Sequence, residues 1–147
     1  MNTDLSVAPE IARLADSFVP AQHPVAVHRT DGRVAGELAG LAAAPERWWD
    51  LVRFDARGPV RILLPGVPGA WLLVLPPGAA TDCDCRQATA LAGEAVEAAG
   101  DSTAAPTPPH PGRPLRPGRV RVHGTRAPHR LRAAGPGYSV TLHWTAA

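Results

Sequence analysis

The spacing of apolar residues changes from a helical period to a strand period along this chain. Residues 8–19 place Ile11, Leu14 and Phe18 at helical spacing, and residues 34–44 place Leu38 and Leu41 on one side of a second helix. From residue 59 onward, short apolar runs alternate with turns rich in proline and glycine. The pattern predicts an α+β protein, mainly β, with helices first and antiparallel strands afterwards.

Five segments after residue 58 are predicted strands. The run 70–75 (AWLLVL) is continuously apolar and bounded by Gly69 and Pro76, which is typical of a buried central strand. Segment 138–144 alternates, so Tyr138 and Leu142 share one face while Thr141 and His143 share the other. The predicted strands cover residues 59–64, 70–75, 119–123, 129–133 and 138–144.

Three segments fall outside this simple pattern. Residues 86–101 are ambiguous: they are rich in alanine and lean toward a helix by propensity, and the sequence leaves open whether they are ordered as strands. Residues 106–117 contain six prolines, which predicts a loop or linker. Pro45 opens a further turn, in which Trp48 and Trp49 are expected to anchor the helices to the rest of the fold.

The length of 147 residues fits a single domain over 1–147, with a helical part at 1–50 and a β core at 59–147 that contains the proline-rich loop. No run reaches the roughly 18 apolar residues of a membrane span. The first ten residues carry acids and no basic region before an apolar run, unlike a signal peptide. We therefore predict a cytoplasmic protein without a membrane partner, leaving its oligomeric state open between a monomer and an unknown oligomer.

Charge is divided unevenly along the chain. Residues 1–101 hold 13 acidic residues and 8 arginines, whereas residues 102–147 hold 7 arginines, no acid and no lysine. The arginines of the basic half are spread among proline, glycine and strand-like segments, without a helix-turn-helix or an RNA-binding signature. No nucleic-acid partner is expected.

The two cysteines, Cys83 and Cys85, follow a buried strand and a Pro-Gly turn. Their C-x-C spacing is too close for a comfortable disulfide, and side chains two apart on a strand point the same way. The pair is therefore a candidate metal or redox site, although two incidental thiols at a strand end would produce the same pattern.

Two further positions could carry chemistry. His129 follows a turn, where a surface or hydrogen-bonded histidine is common. The polar face of segment 138–144 could be solvated, or it could point into a lumen. In a lumen, the Thr141 hydroxyl could fix the tautomer of His143.

The order of these features resembles bacterial cysteine dioxygenases, which have the cupin fold. The stretch WLLVLPPGAATDCDC is similar to a family segment that leads to His-x-His, with Cys83 and Cys85 at the histidine places. The segment 117–145 is similar to the family's closing strands, with His129 at the third ligand. The resemblance implies a cupin-like antiparallel β-barrel preceded by N-terminal helices, and strands rather than a helix at 86–101.

The resemblance also implies roles for single residues. Cys83, Cys85 and His129 stand where the family holds ferrous iron, and Arg61 stands where it binds the carboxylate of the substrate cysteine. Thr141 and His143 match a catalytic Ser-x-His pair, and Thr145 replaces a tyrosine. The implied reaction uses cysteine and oxygen and yields cysteine sulfinic acid.

Thiols at two ligand positions leave open whether the chain is an enzyme. Thiolates favour softer ions than ferrous iron, and activated oxygen would oxidise them. Three hypotheses follow: a divergent thiol dioxygenase using Fe(II), a non-catalytic cupin that binds no metal and serves as an interaction module, and a metal-binding or redox-sensing protein with zinc at the cysteine pair.

Overall fold

The computed structural model describes residues 30–99, 112–123 and 128–145. Within these residues, one α-helix and two short 3₁₀ turns, Pro45–Arg47 and Trp49–Leu51, precede the strands. The helix has 12 residues, and no described helix is long and apolar enough to cross a membrane. In chain order the elements are α1 (Asp31–Ala42), β1 (Val60–Leu63), β2 (Ala70–Leu75), β3 (Ala80–Cys83), β4 (Gln87–Ala92), β5 (Ala95–Ala99), β6 (Arg113–Pro114), β7 (Arg121–Val122), β8 (His129–Ala133) and β9 (Ser139–Trp144).

The strands form two sheets, and each pair of neighbouring strands in the described residues is antiparallel. The five-stranded sheet has the order β1-β2-β9-β4-β7, and the four-stranded sheet has the order β3-β8-β5-β6. Their facing sides share one apolar cluster, so the sheets pack against each other. The predicted α+β, mainly β architecture of antiparallel strands is confirmed over the described residues. Over the described residues the two sheets form a sandwich rather than one closed barrel.

The position of β2 between two packed layers explains why its sequence is apolar without interruption. Leu72 and Val74 pack on the outer side of the five-stranded sheet, in a cluster that includes helix α1. Trp71, Leu73 and Leu75 pack on the inner side, between the sheets. All six residues of the strand are buried, as predicted, because each face of β2 meets another layer.

Helix α1 starts earlier than its apolar pattern predicts. The Thr30 side chain accepts a hydrogen bond from the Arg33 backbone N–H, and this cap sets the start at Asp31. After the helix, Trp48 is buried and its indole N–H donates to the Leu41 carbonyl at 2.9 Å. Trp48 is therefore an anchor. The same expectation for Trp49 is wrong, since half of that residue is exposed.

The ambiguous segment 86–101 leans toward a helix by propensity, but its described part, residues 86–99, forms β4 and β5, the strands that the resemblance implies. Ala88 and Ala90 lie opposite His143 and Thr141 across the β4–β9 ladder. Both alanines are fully buried, and their small side chains leave room for the larger residues opposite them. Tertiary packing therefore overrides the modest helix propensity of alanine.

The proline-rich segment is only partly a loop. Arg113 and Pro114 form the short edge strand β6 beside β5, where a proline is tolerated because an edge strand leaves half of its backbone groups without a ladder partner. Residues 106–111 of that segment and the predicted helix at 8–19 lie outside the described residues. The single domain over 1–147 consequently stays a prediction.

Candidate metal centre

The two cysteines lie at the end of β3, facing the space between the sheets. Cys83 is the last residue of the strand, and Cys85 follows two residues later. Both are free thiols, with 5% and 2% of their surface exposed. The Cys85 backbone N–H donates to the Cys83 sulfur at 3.4 Å. The pair is therefore a buried dithiol rather than two surface thiols.

His143 joins the cysteines from the inner face of β9. Its Nδ1 lies 3.2 Å from Cys85 Sγ and 3.8 Å from Cys83 Sγ. Its Nε2 lies 2.7 Å from the Thr141 hydroxyl, which also reaches the Leu73 carbonyl at 3.4 Å. If the hydroxyl donates to that carbonyl, it accepts from Nε2–H. This tautomer leaves the Nδ1 lone pair directed at the two sulfurs.

Aromatic packing fixes the ring of His143. The Trp71 ring stacks on it with centroids 4.2 Å apart and planes 16° from parallel. The Trp71 indole N–H donates to the Thr145 hydroxyl at 3.0 Å. Burial lowers the pKa of His143, with the Cys83 contact acting in the opposite direction. A neutral, immobilised imidazole is the form that ligates a metal.

The thiols share their protons unequally. The hydrogen bond from the Cys85 thiol lowers the pKa of Cys83, and the histidine contacts act in the same direction against the effect of burial. The same hydrogen bond, followed by burial, raises the pKa of Cys85. The pair therefore loses one proton, from Cys83, more readily than the other, from Cys85.

His129 approaches Cys85 from β8 and belongs to a polar cluster that we did not predict. Its Nε2 lies 3.3 Å from Cys85 Sγ, and its ring stacks on His123 with centroids 4.2 Å apart. The His123 Nε2 makes a hydrogen bond with Glu97 Oε1, and Arg121 donates to Glu97 Oε2 at 2.8 Å. This cluster occupies the space between the sheets beside the cysteine pair.

Glu97 is a buried carboxylate in the middle of β5. Burial raises its pKa, but the hydrogen bonds and charges of His123 and Arg121 together outweigh burial and lower it. The sequence signal was a single acid within the small apolar run AVEAA. The helical lean of 86–101 hid that signal, because only strand alternation assigns Glu97 to the face of β5 that it shares with Ala95, between the sheets.

Arg61 lies outside this buried cluster, at an opening beside Cys83. Its guanidinium carbon is 3.9 Å from the centroid of the Trp71 ring. Arg61, Trp71 and Cys83, with Asp82 and Asp84, help to line a cavity of about 200 Å³. The residue predicted to bind a carboxylate thus shares a cavity with one of the predicted ligands.

The donor atoms form two groups of three that share Cys85. Within each group the donor atoms lie within 4.8 Å of one another. One group holds Cys83, Cys85 and His143, and the other holds Cys85, His123 and His129. The predicted ligands Cys83, Cys85 and His129 are divided between the groups, and His143 takes a place beside both thiols.

The spacing of these donors is compatible with a tetrahedrally bound metal ion such as zinc. Zinc–sulfur and zinc–nitrogen bonds at tetrahedral angles put neighbouring donor atoms roughly 3.6 Å apart. The distances of 3.2 and 3.8 Å from His143 Nδ1 to the sulfurs bracket that value. Two sulfurs also favour a soft or borderline ion.

No family model matches the sequence, and no curated protein matches it. Among solved structures, TT1209 from Thermus thermophilus is 20% identical with a TM-score of 0.49, over 66% of this chain and 92% of that one. A cupin superfamily protein from Desulfitobacterium hafniense is 14% identical with a TM-score of 0.47, over 68% and 89%. A chain in the structure of Rhodobacter sphaeroides SigE in complex with the anti-sigma ChrR is 19% identical with a TM-score of 0.46, over 94% of this chain and 75% of that one. At such identities no activity is transferred to this chain.

Proposed function

We propose that this protein binds a thiophilic divalent ion, zinc, between Cys83, Cys85 and His143. The observation that carries the proposal is the position of His143 Nδ1, which faces both sulfurs at distances close to the edge of a zinc tetrahedron. Thr141 holds the imidazole by a hydrogen bond at Nε2, and Trp71 stacks on the face of the ring. Such supporting contacts are typical of histidines that ligate metals.

Charge also favours a divalent ion at this position. The hydrogen bond with Cys83 and burial raise the pKa of Cys85, and the charge of a Cys83 thiolate adds to the effect, so two thiolates together need a cation. A divalent cation displaces the Cys85 proton and neutralises both sulfurs, while the neutral imidazole adds no charge. The thiols require reducing conditions, so the proposal includes a reducing compartment such as the cytoplasm.

Three protein ligands leave one coordination position for a small molecule. Catalytic zinc sites commonly have this arrangement, whereas structural sites use four protein ligands. The cavity beside Cys83 would admit that molecule, and the Arg61 guanidinium favours one with an anionic group. We therefore propose a small anionic thiol or carboxylate as the partner.

A second candidate is the iron-dependent oxidation of cysteine implied by the resemblance. The cavity lined by Arg61 and Cys83 supports it, because a cysteine carboxylate bound by Arg61 would lie beside the cluster. The two sulfurs oppose it, because oxygen chemistry beside thiolates would carry Cys83 or Cys85 toward sulfinic acid. Zinc binding without sustained oxidation is therefore the stronger proposal.

Metal analysis and titration of the full chain test both candidates. The protein as purified from cells should contain zinc, and chelator-treated protein should take zinc up again. Cys83→Ser, Cys85→Ser and His143→Gln should each weaken zinc binding at least tenfold. The control Glu46→Gln changes an exposed acidic residue outside the cluster and should bind as the natural protein does.

Oxygen uptake with cysteine and added ferrous iron completes the test. We expect no sustained formation of cysteine sulfinic acid by the natural protein. A preparation that contains iron, prefers it to zinc and produces sulfinic acid through many turnovers would refute the zinc proposal and support the dioxygenase.

A further inference from the structure

We infer that a second metal ion binds beside the first, held by His129, His123 and Glu97 and sharing the sulfur of Cys85. This inference rests on the proposed function, since both ions use Cys85. It concerns the second group of donors, which the resemblance does not supply as a set. Together the two positions would make a binuclear centre.

The donor atoms of the second position come from strands β5 and β8, which carry Glu97 and His129, and from the ends of β3 and β7, which Cys85 and His123 follow. His129 Nε2 lies 3.3 Å from Cys85 Sγ and 3.9 Å from Glu97 Oε1. A ring nitrogen of His123 lies within 4.8 Å of both the Cys85 and the His129 donor atoms. His123 also reaches Glu97 Oε1 directly. The sulfur and the two ring nitrogens therefore surround one space, and Glu97 Oε1 lies beside the two imidazoles.

Glu97 is oriented for this role by Arg121. The Arg121 guanidinium donates to Glu97 Oε2 at 2.8 Å and to two nearby backbone carbonyls. These hydrogen bonds fix the position of the guanidinium. Oε1 is left on the side of the two imidazoles. Glu97 is only 8% exposed, and a buried carboxylate needs cationic partners. A metal ion at Oε1 would add positive charge to that which Arg121 supplies at Oε2.

The imidazoles can reach a common ion with a small rearrangement. Their rings lie nearly parallel, 17° apart, and both direct an edge toward Glu97. Rotation of the His123 side chain, which is 13% exposed, would turn its lone pair toward an ion bound by His129. The Nδ1 of His123 is buried and has no hydrogen-bond partner among the described residues, so coordination could also satisfy that atom.

Cys85 is suited to bridge the two ions. Its sulfur is 3.2 Å from His143 Nδ1 and 3.3 Å from His129 Nε2, and the two imidazoles belong to separate groups. A thiolate has more than one lone pair and can bind one ion on each side. The second position has one sulfur among nitrogen and oxygen donors, so Zn²⁺ and Co²⁺ both suit it.

Counting bound ions tests the inference. Chelator-treated full-length protein is titrated with Zn²⁺ against a chromophoric chelator, and we expect two ions per chain. His123→Ala and Glu97→Gln should each reduce the number to one, while Cys83→Ser should affect only the first position. Glu94→Gln, which changes an exposed glutamate outside the cluster, is the matched control and should retain two.

A Co²⁺ titration gives a second readout. The first equivalent should produce intense sulfur-to-cobalt absorption, and the second should add ligand-field bands that Glu97→Gln abolishes. His123→Gln keeps polarity and replaces His123→Ala if that variant does not fold, as judged by circular dichroism. One ion in the natural protein, lost on Cys83→Ser, would overturn this inference and leave the proposed function standing. Two ions retained in both second-position variants would also overturn it, and no ion at all would refute both proposals.

Discussion

Thr141 and His143 lie two residues apart on β9, and their side chains meet in a hydrogen bond of 2.7 Å within the buried space between the sheets. The contact favours the tautomer of His143 in which Nε2 carries the proton and the Nδ1 lone pair faces the cysteines. Because the Thr141 hydroxyl donates its own hydrogen to the Leu73 carbonyl, its oxygen can accept a hydrogen bond from Nε2–H of His143. The tautomer of a candidate ligand is thus controlled by a neighbour on the same strand.

Removing that hydroxyl should weaken metal binding. Thr141→Val keeps the shape of the side chain but leaves His143 Nε2 without its partner, so we expect a roughly 10–100-fold loss of zinc affinity. The free energy of unfolding of the metal-free protein should fall by about 1–3 kcal/mol. Competition titration and urea unfolding measure the two effects. Thr141→Ser should restore zinc affinity, and a Val variant that binds like the natural protein would exclude control of the tautomer.

Glu97 should make stability depend on acid pH. Its folded-state pKa lies below the ordinary value of 4.5, so its contribution is present above pH 4.5 and is lost as pH falls through the lowered folded pKa. Glu97→Gln should cost roughly 1.5–3 kcal/mol at pH 7, because charge-assisted hydrogen bonds to Arg121 and His123 are lost. The cost should shrink in acid. Urea unfolding of metal-free protein across pH 3–7 tests this, and a cost independent of pH would contradict it.

Replacing both thiols should change the preferred metal. Cys83→His with Cys85→His removes two anionic ligands and supplies neutral imidazoles, so ferrous iron affinity should rise and zinc preference should fall. Anaerobic titrations with each ion measure the change. Dioxygenase activity should stay low, because Thr145 still replaces the family's tyrosine. If iron affinity is unchanged in a folded double variant, the two positions are not metal ligands.

The turn between β4 and β5 should tolerate no side chain. Gly93 has φ of 69°, and a Cβ there would lie 2.2 Å from the Tyr138 carbonyl oxygen. Gly66 has a similar φ of 73° but open space around the same position. Gly66→Ala should therefore cost only the roughly 1–2 kcal/mol of left-handed backbone, and Gly93→Ala distinctly more. Thermal unfolding of the two variants compares them, and equal losses would show that the contact with Tyr138 is unimportant.

Local patterns in the sequence predicted the elements whose two faces differ. Alternation in β9 correctly separates Val140 and Leu142, which pack on the outer cluster, from Thr141 and His143, which face inward. The continuous apolar run of β2 correctly indicated burial on both sides. These predictions succeed because a strand's period of two is a property of the backbone itself.

Alanine-rich segments carried too little local information. The segment 86–101, ambiguous by its sequence, forms a pair of strands over its described part, since the side chains opposite Ala88 and Ala90 determine what fits there. Those partners, His143 and Thr141, lie more than fifty residues further along the chain. Propensity describes a residue and its near neighbours, whereas this burial depends on a distant strand.

The sequence by itself indicated that the two thiols point the same way and that Thr141 and His143 share one face of a strand. Only the tertiary structure decided that His143 faces both sulfurs and that His129 stands with His123 and Glu97. Those contacts come from β3, β5, β7, β8 and β9, which belong to two different sheets. Their meeting depends on strand register and on sheet packing across the core, and such long-range geometry leaves no periodic trace in the residues that form it.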